Sequence, residues 1–227
     1  MNTKISFDQR WAPTLDWETP AGRLLDRLVA ALPGDHAWRI VVFGSAPLQL
    51  ALDPGFLSAD VDIIPLESVE EFCGRAGLLE GQTSLYLECC SFSAFSASPD
   101  WWVRAAETQR KHVTFILPHP IDILVSKIKR LEEKDLNAFR LVRAKTGHPT
   151  EEELLMGLRR VVDIYRPSFE EESSGDPRHN TRVLWRELFG QSVDVAQQII
   201  APALAERRRH HGGDNYGLRE ALGRYGS

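Results

Sequence analysis

From Pro20 to Pro33 the chain sets Leu24, Leu25, Leu28, Val29 and Leu32 three and four residues apart, a spacing that predicts one amphipathic helix ending at Pro33-Gly34. The period then changes. Arg39 to Phe43 is a short apolar run that reads as a buried strand, Gly44-Ser45 as the turn leaving it, and Pro47 to Leu52 as a short helix stopped by Asp53-Pro54-Gly55. Residues 60 to 64 predict a second strand, Leu66 to Leu79 a helix, and Leu85 to Cys90 a third, alternating strand. Trp101 to Ala106 and His112 to Leu117, separated by the polar Glu107 to Lys111, predict a hairpin.

Beyond Pro118 the strand signals stop. Pro120 to Lys134, Asp135 to Lys145 and Thr150 to Tyr165 predict helices, the last opened by a Thr150/Glu153 capping box. Residues 166 to 180 are polar and rich in turn formers, which suggests a linker or long loop, and two more helices are expected within 181 to 208. The expected fold class is α+β: a mixed-sheet core with flanking helices over 1–118, then a helical C-terminal region over 119–227. No internal repeat is visible.

Composition narrows the function classes. With 227 residues, 43% of them hydrophobic, the chain has ample material for a core. A formal charge of −5, from 27 Lys plus Arg against 32 Asp plus Glu, supplies no global attraction to nucleic acid or acidic membranes. No run of about 18 apolar residues could span a bilayer. The N-terminal residues lack the apolar centre of a secretory signal, so the expected location is cytoplasmic. Cys73, Cys89 and Cys90 fit neither a disulfide framework nor a zinc-ligand spacing, and are expected as reduced thiols.

The chemistry centres on FGSAPLQLALDPGFLSADVDIIP, residues 43 to 65. Residues two apart in a strand share a face, so Asp60 and Asp62 project together, about 7 Å apart at their backbones, while Val61 and Ile63 pack the other way. Paired carboxylates repel unless a cation compensates them, and magnesium prefers oxygen ligands of this kind. A glycine lets backbone approach a phosphate closely, and the amides opening the next helix favour anions, so Gly44 and Ser45 are the matching anion half. Taken singly, an Asp-x-Asp is also an ordinary solvated strand end and Gly-Ser an ordinary turn.

In this order the motif resembles the nucleotidyltransferase superfamily related to DNA polymerase beta, and more narrowly its bacterial branch of AbiEii- and MenT-type toxins. Ser58 stands where that branch has a small hydroxyl residue before the first acid. The resemblance spans roughly residues 38 to 140 and includes PIDILVSKIKRLEEKDLNAF, residues 120 to 139. It implies a toxin–antitoxin component that uses magnesium, or manganese, to transfer a nucleotide from a nucleoside triphosphate to an acceptor hydroxyl. The acceptor would be tRNA, a protein or a small molecule, and a cognate antitoxin a partner. Asp60 and Asp62 would hold the metal, Gly44, Ser45 and Lys127 the triphosphate, and Asp135 would orient Lys127.

In that second segment Ile121, Leu124, Val125, Ile128 and Leu131 form an apolar face, with Lys127, Arg130 and Lys134 on one flank. Asp135 would fall on the apolar face of an unbroken helix, so it either caps a new helix or meets a cation. Lys127 would otherwise be one charge of a solvated face. Glu88, sharing a strand face with Tyr86 and Cys90, is the candidate third carboxylate of polymerase-type members, with a plain surface role as the alternative. Arg207 to His211 could touch phosphates or simply end a helix, and Trp101-Trp102 could stack on a base or pack in a core. The rival functions are a non-catalytic, antitoxin-like protein-binding module and a nucleotide-binding regulator.

Overall fold

Strand β1 (Trp38–Val42) lies at the centre of a five-stranded mixed sheet because its residues are apolar on both faces. The structure is a computed structural model and describes residues 10–56, 58–165 and 175–209. The sheet runs β3-β2-β1-β5-β4, with β2 (Asp60–Pro65), β3 (Tyr86–Cys89), β4 (Ala106–Arg110) and β5 (Val113–Leu117). β1 is antiparallel to β2 and parallel to β5, β2 is parallel to β3, and β4 returns antiparallel on β5.

The chain divides into two compact units, one of which holds residues 8–95 and 102–120 and with them the whole sheet. On one sheet face Ile40, Val42, Val61, Ile63, Leu87, Val113 and Phe115 alternate inward and pack on Leu24, Leu25 and Leu28 of α1 (Pro20–Ala31). Thr19 caps α1, its side chain accepting from the Gly22 amide, and Pro20 occupies the first turn, where a missing N–H costs nothing. The short helices α2 (Ala46–Ala51) and α3 (Glu70–Arg75) complete this unit, and α4 (Trp101–Arg104) precedes β4.

Gln49 of α2 is 3% exposed. Its Oε1 accepts the Ala21 amide at 2.8 Å and its Nε2 donates to the Phe56 carbonyl at 2.7 Å, so one side chain ties α1 and α2 to the loop that enters β2. Gln49→Leu strands the buried Ala21 amide and the part-buried Phe56 carbonyl and is expected to lower stability by about 2–4 kcal/mol in urea denaturation. A loss under about 0.5 kcal/mol, the range of surface changes, would show that this tie is not needed.

The other unit, of which residues 96–101, 121–165 and 175–209 are described, is helical. It contains α5 (Pro120–Ser126, which begins at the boundary), α6 (Glu133–Thr146), α7 (Glu151–Arg160), α8 (Pro177–Phe189) and α9 (Ala201–Arg209). The Thr150/Glu153 capping box opens α7 as expected. No helix among the described residues is long and apolar enough to cross a membrane.

Four expectations shift. The helix over 66–79 shrinks to α3, because residues 66 to 69 finish the exit from β2 and Gly77 adopts a φ of 65°. The hairpin exists, but its first arm is the polar Ala106–Arg110 rather than Trp101–Ala106. An edge strand needs only one buried face, and Trp101–Arg104 is helical. The helix expected to reach Lys134 ends at Ser126, and Leu131 turns the chain at a φ of 44°. Asp176 caps α8 and Pro177 begins it, so the linker reading fails for 177–180, while residues 166 to 174 lie outside the described part.

Candidate functional site

β1 ends at Val42, and the Phe43 amide still donates to the Asp62 carbonyl at 3.0 Å, so the two chains stay paired up to the Gly44 turn. Gly44 then takes a φ of 66°, a region that favours glycine. A Cβ there would lie 3.1 Å from Asp62 Cγ and in frank overlap with its Oδ2. The Asp62 carboxylate therefore rests directly on the Gly44 backbone. Ser45 follows as the N-cap of α2, its carbonyl accepting from Leu48 and Gln49 amides while its hydroxyl makes no capping bond.

Asp60 and Asp62 are half-buried, with Val61 and Ile63 buried between and beyond them, as alternation requires. The parallel β2–β3 pairing sets Asp60 opposite Tyr86 and Asp62 opposite Glu88. Cys90 follows on the same face, its amide donating to the Ile63 carbonyl at 2.8 Å. One ligand atom each from Asp62, Glu88 and Cys90 lie within 4.8 Å of one another. Asp60 stands outside that triad and accepts the Ser58 hydroxyl at 2.6 Å. Desolvation, with the charges of Asp62 and Glu88, pushes the Cys90 thiol up to about 12, so without a cation it keeps its proton.

The two carboxylates suit a hard divalent cation such as magnesium, whereas the Cys90 sulfur is a soft donor that such a cation does not favour. Two carboxylates and a sulfur converge, and the absence of a Cβ at Gly44 leaves room for the Asp62 oxygens. Glu88 thus lies beside Asp62 across the β2–β3 pairing. Cys90 was the residue missed: alternation placed it beside Glu88, but only strand pairing brings both to Asp62.

Lys127 and Asp135 belong to the helical unit. Lys127 lies just past α5, 10% exposed at its side chain, and its Nζ donates to Asp135 Oδ1 at 3.0 Å. Asp135 is fully buried at the third position of α6, where it also takes Arg130 at 3.3 Å and the Glu132 amide at 3.0 Å. It is both helix cap and counter-ion. Burial alone would raise its pKa, but the Arg130 hydrogen bonds, the Lys127 ammonium and the Glu132 amide together hold it below the usual carboxylate value. Asn180 of α8 braces this turn, donating to the buried Ile128 carbonyl at 2.8 Å. Lys134 is engaged with Glu132 rather than with this centre.

The weaker sequence signals take structural roles. Trp101 is buried, and Arg207 forms a two-pronged pair with Asp163 at 2.8 and 2.9 Å. His210 and His211 lie outside the described residues. The fold and site together define a mixed α+β protein with a carboxylate-bearing five-stranded sheet. No family model, curated protein or solved structure matches the chain.

Proposed function

We propose that this chain is a nucleotidyltransferase with a DNA polymerase beta-like fold, transferring a nucleoside monophosphate from a triphosphate to an acceptor hydroxyl and releasing pyrophosphate. The observation that carries the reading is the pairing of Asp62 with Glu88 across β2 and β3, at the foot of the Gly44-Ser45 turn. Strand, Gly-Ser turn, helix, carboxylate strand and a third acid on the neighbouring strand follow one another in the order the resemblance implies.

Asp62, with Asp60 on the same strand face and Glu88 opposite on β3, would hold magnesium, or manganese, which would supply positive charge to the triphosphate. Gly44 and Ser45 hold the phosphates through backbone amides and the serine hydroxyl. Lys127 and Asp135 form an ion pair within the helical unit and are given no part in this site. Glu88, which is exposed, accepts the proton of the acceptor hydroxyl as its oxygen attacks the α-phosphorus. The bond to the β-phosphate oxygen then breaks and pyrophosphate carries the electron pair away.

The test follows an α-phosphate label from each of the four triphosphates into a total cell extract, with nuclease and protease digestion to assign the acceptor. Transfer is expected with wild type and is lost in Asp60→Asn, Asp62→Asn. In parallel, magnesium at 100 times its Kd is expected to stabilise wild type by about 2.7 kcal/mol and the double variant by nothing. An equal metal response in both proteins refutes the site. No label transfer with any triphosphate and either metal, together with a stoichiometric co-purifying protein, establishes the antitoxin-like binding module instead.

A further inference from the structure

Asp62, Glu88 and Cys90 form a donor set that differs from the Asp60/Asp62 pair to which the sequence points. Asp62 and Glu88 face one another in the β2–β3 register, and Cys90 follows Glu88 by two residues on the same side of the sheet. Backbone contacts fix the set. The Asp62 carbonyl takes the Phe43 amide at 3.0 Å, the Cys90 amide donates to the Ile63 carbonyl at 2.8 Å, and the Asp62 carboxylate rests against Gly44, whose missing Cβ leaves it room. Asp60 lies outside the set, its carboxylate accepting the Ser58 hydroxyl at 2.6 Å.

The spacing suits a small four-coordinate ion. Ligand atoms around tetrahedral zinc, bound at about 2.0–2.3 Å, stand roughly 3.3–3.8 Å from one another. One donor atom from each of the three side chains lies within 4.8 Å of the others, so closing the shell takes about 1 Å of side-chain rotation and no change in strand pairing. Three protein ligands leave a fourth position open to water. The sulfur decides the class of ion. Magnesium asks for octahedral oxygen ligands and gains nothing from Cys90, whereas thiolate ligation favours zinc and its borderline-soft relatives.

We propose that Asp62, Glu88 and Cys90 bind a divalent cation of the zinc class, and that this ion shuts the magnesium site by drawing Asp62 away from it. The Cys90 thiol gives its proton to solvent as the sulfur coordinates. Magnesium is then left with Asp60 alone, which also serves the Ser58 hydroxyl. Glu88, once a ligand, no longer accepts the proton of an acceptor hydroxyl. Binding stands on the geometry of the three side chains, and its inhibitory consequence rests on the nucleotidyltransferase reading.

Cobalt(II) is the probe, because its bond to a thiolate gives a near-ultraviolet charge-transfer band that bonds to oxygen do not. The full chain, with its thiols reduced, is titrated with cobalt and then with zinc, and magnesium affinity is measured by calorimetry with and without zinc. The band is expected in wild type and is displaced by zinc. Cys90→Ser removes the band, and both Cys90→Ser and Glu88→Gln weaken zinc binding by at least about tenfold, no less than loss of a partner behind a ligand costs. Asp60→Asn keeps the band. Zinc is expected to raise the magnesium Kd of wild type by at least about tenfold and to leave that of Cys90→Ser unchanged. No band overturns the proposal. So does a band that survives Cys90→Ser, which assigns the sulfur to the fully buried Cys73 or to Cys89 on the apolar face. A Cys90-dependent band with magnesium affinity unmoved by zinc overturns the shutting of the site. Failure of label transfer with that band intact refutes the transferase reading and upholds the cation site, so the two failures are told apart.

Discussion

Gly44→Ala is expected to cost about 3 kcal/mol in urea denaturation and to remove the magnesium response. A left-handed backbone costs a non-glycine residue about 1–2 kcal/mol, and here the new methyl also collides with the Asp62 carboxylate on the neighbouring strand. Gly77 and Gly81 supply the comparison: each has a positive φ, but a Cβ at either meets nothing within 4 Å. Gly77→Ala and Gly81→Ala should therefore lose only the backbone part, about 1–2 kcal/mol. Combining Gly44→Ala with Asp62→Ala relieves the collision, so the double variant should be more stable than the sum of the two singles predicts. Equal losses at Gly44 and Gly77 would mean that the contact with Asp62 is not a constraint.

Lys127→Met is expected to destabilise the protein by about 2–4 kcal/mol, because it leaves Asp135 buried with one cation fewer. Arg130→Met, which removes a half-exposed guanidinium, should cost only about 1 kcal/mol. Acid supplies a second reading of the same centre. With its folded pKa depressed, Asp135 contributes fully above the ordinary carboxylate range. That contribution fades as pH falls through the range and beneath it, because the unfolded chain takes up the proton first. Asp135→Asn should flatten the acid limb of stability against pH relative to wild type. An unchanged acid limb would show that the Lys127–Asp135 pair carries no linkage to folding.

Strand β1 was legible as a short, nearly continuous apolar run closed by a Gly-Ser turn, and β3 as a period-two pattern that survives when one face is buried. The shared face of Asp60 and Asp62 follows from the same rule. The meeting of Asp62, Glu88 and Cys90 was not legible, since a single sequence carries no record of which strand lies beside which. The break after Ser126 was equally hidden: no proline or glycine marks it. The chain turns because Asp135 gains two cations and an amide by doing so, a tertiary gain that outweighs local helical propensity. The hairpin arm was misplaced for a related reason. Trp101–Arg104 looks apolar enough for a strand, whereas Ala106–Arg110 needs only alternate burial at the sheet edge.

β3 is the outermost strand on its side of the sheet and only four residues long, with its Leu87 amide already bonded to the loop after α3. That bond shields a strand which would otherwise offer its amides to other chains. It also means that Glu88 is carried by the part of the sheet that frays first, whereas Asp62 is carried by an interior strand. The carboxylate centre can come apart by peeling of one edge while the rest of the sheet stays folded, so its integrity is governed by local opening rather than by global stability.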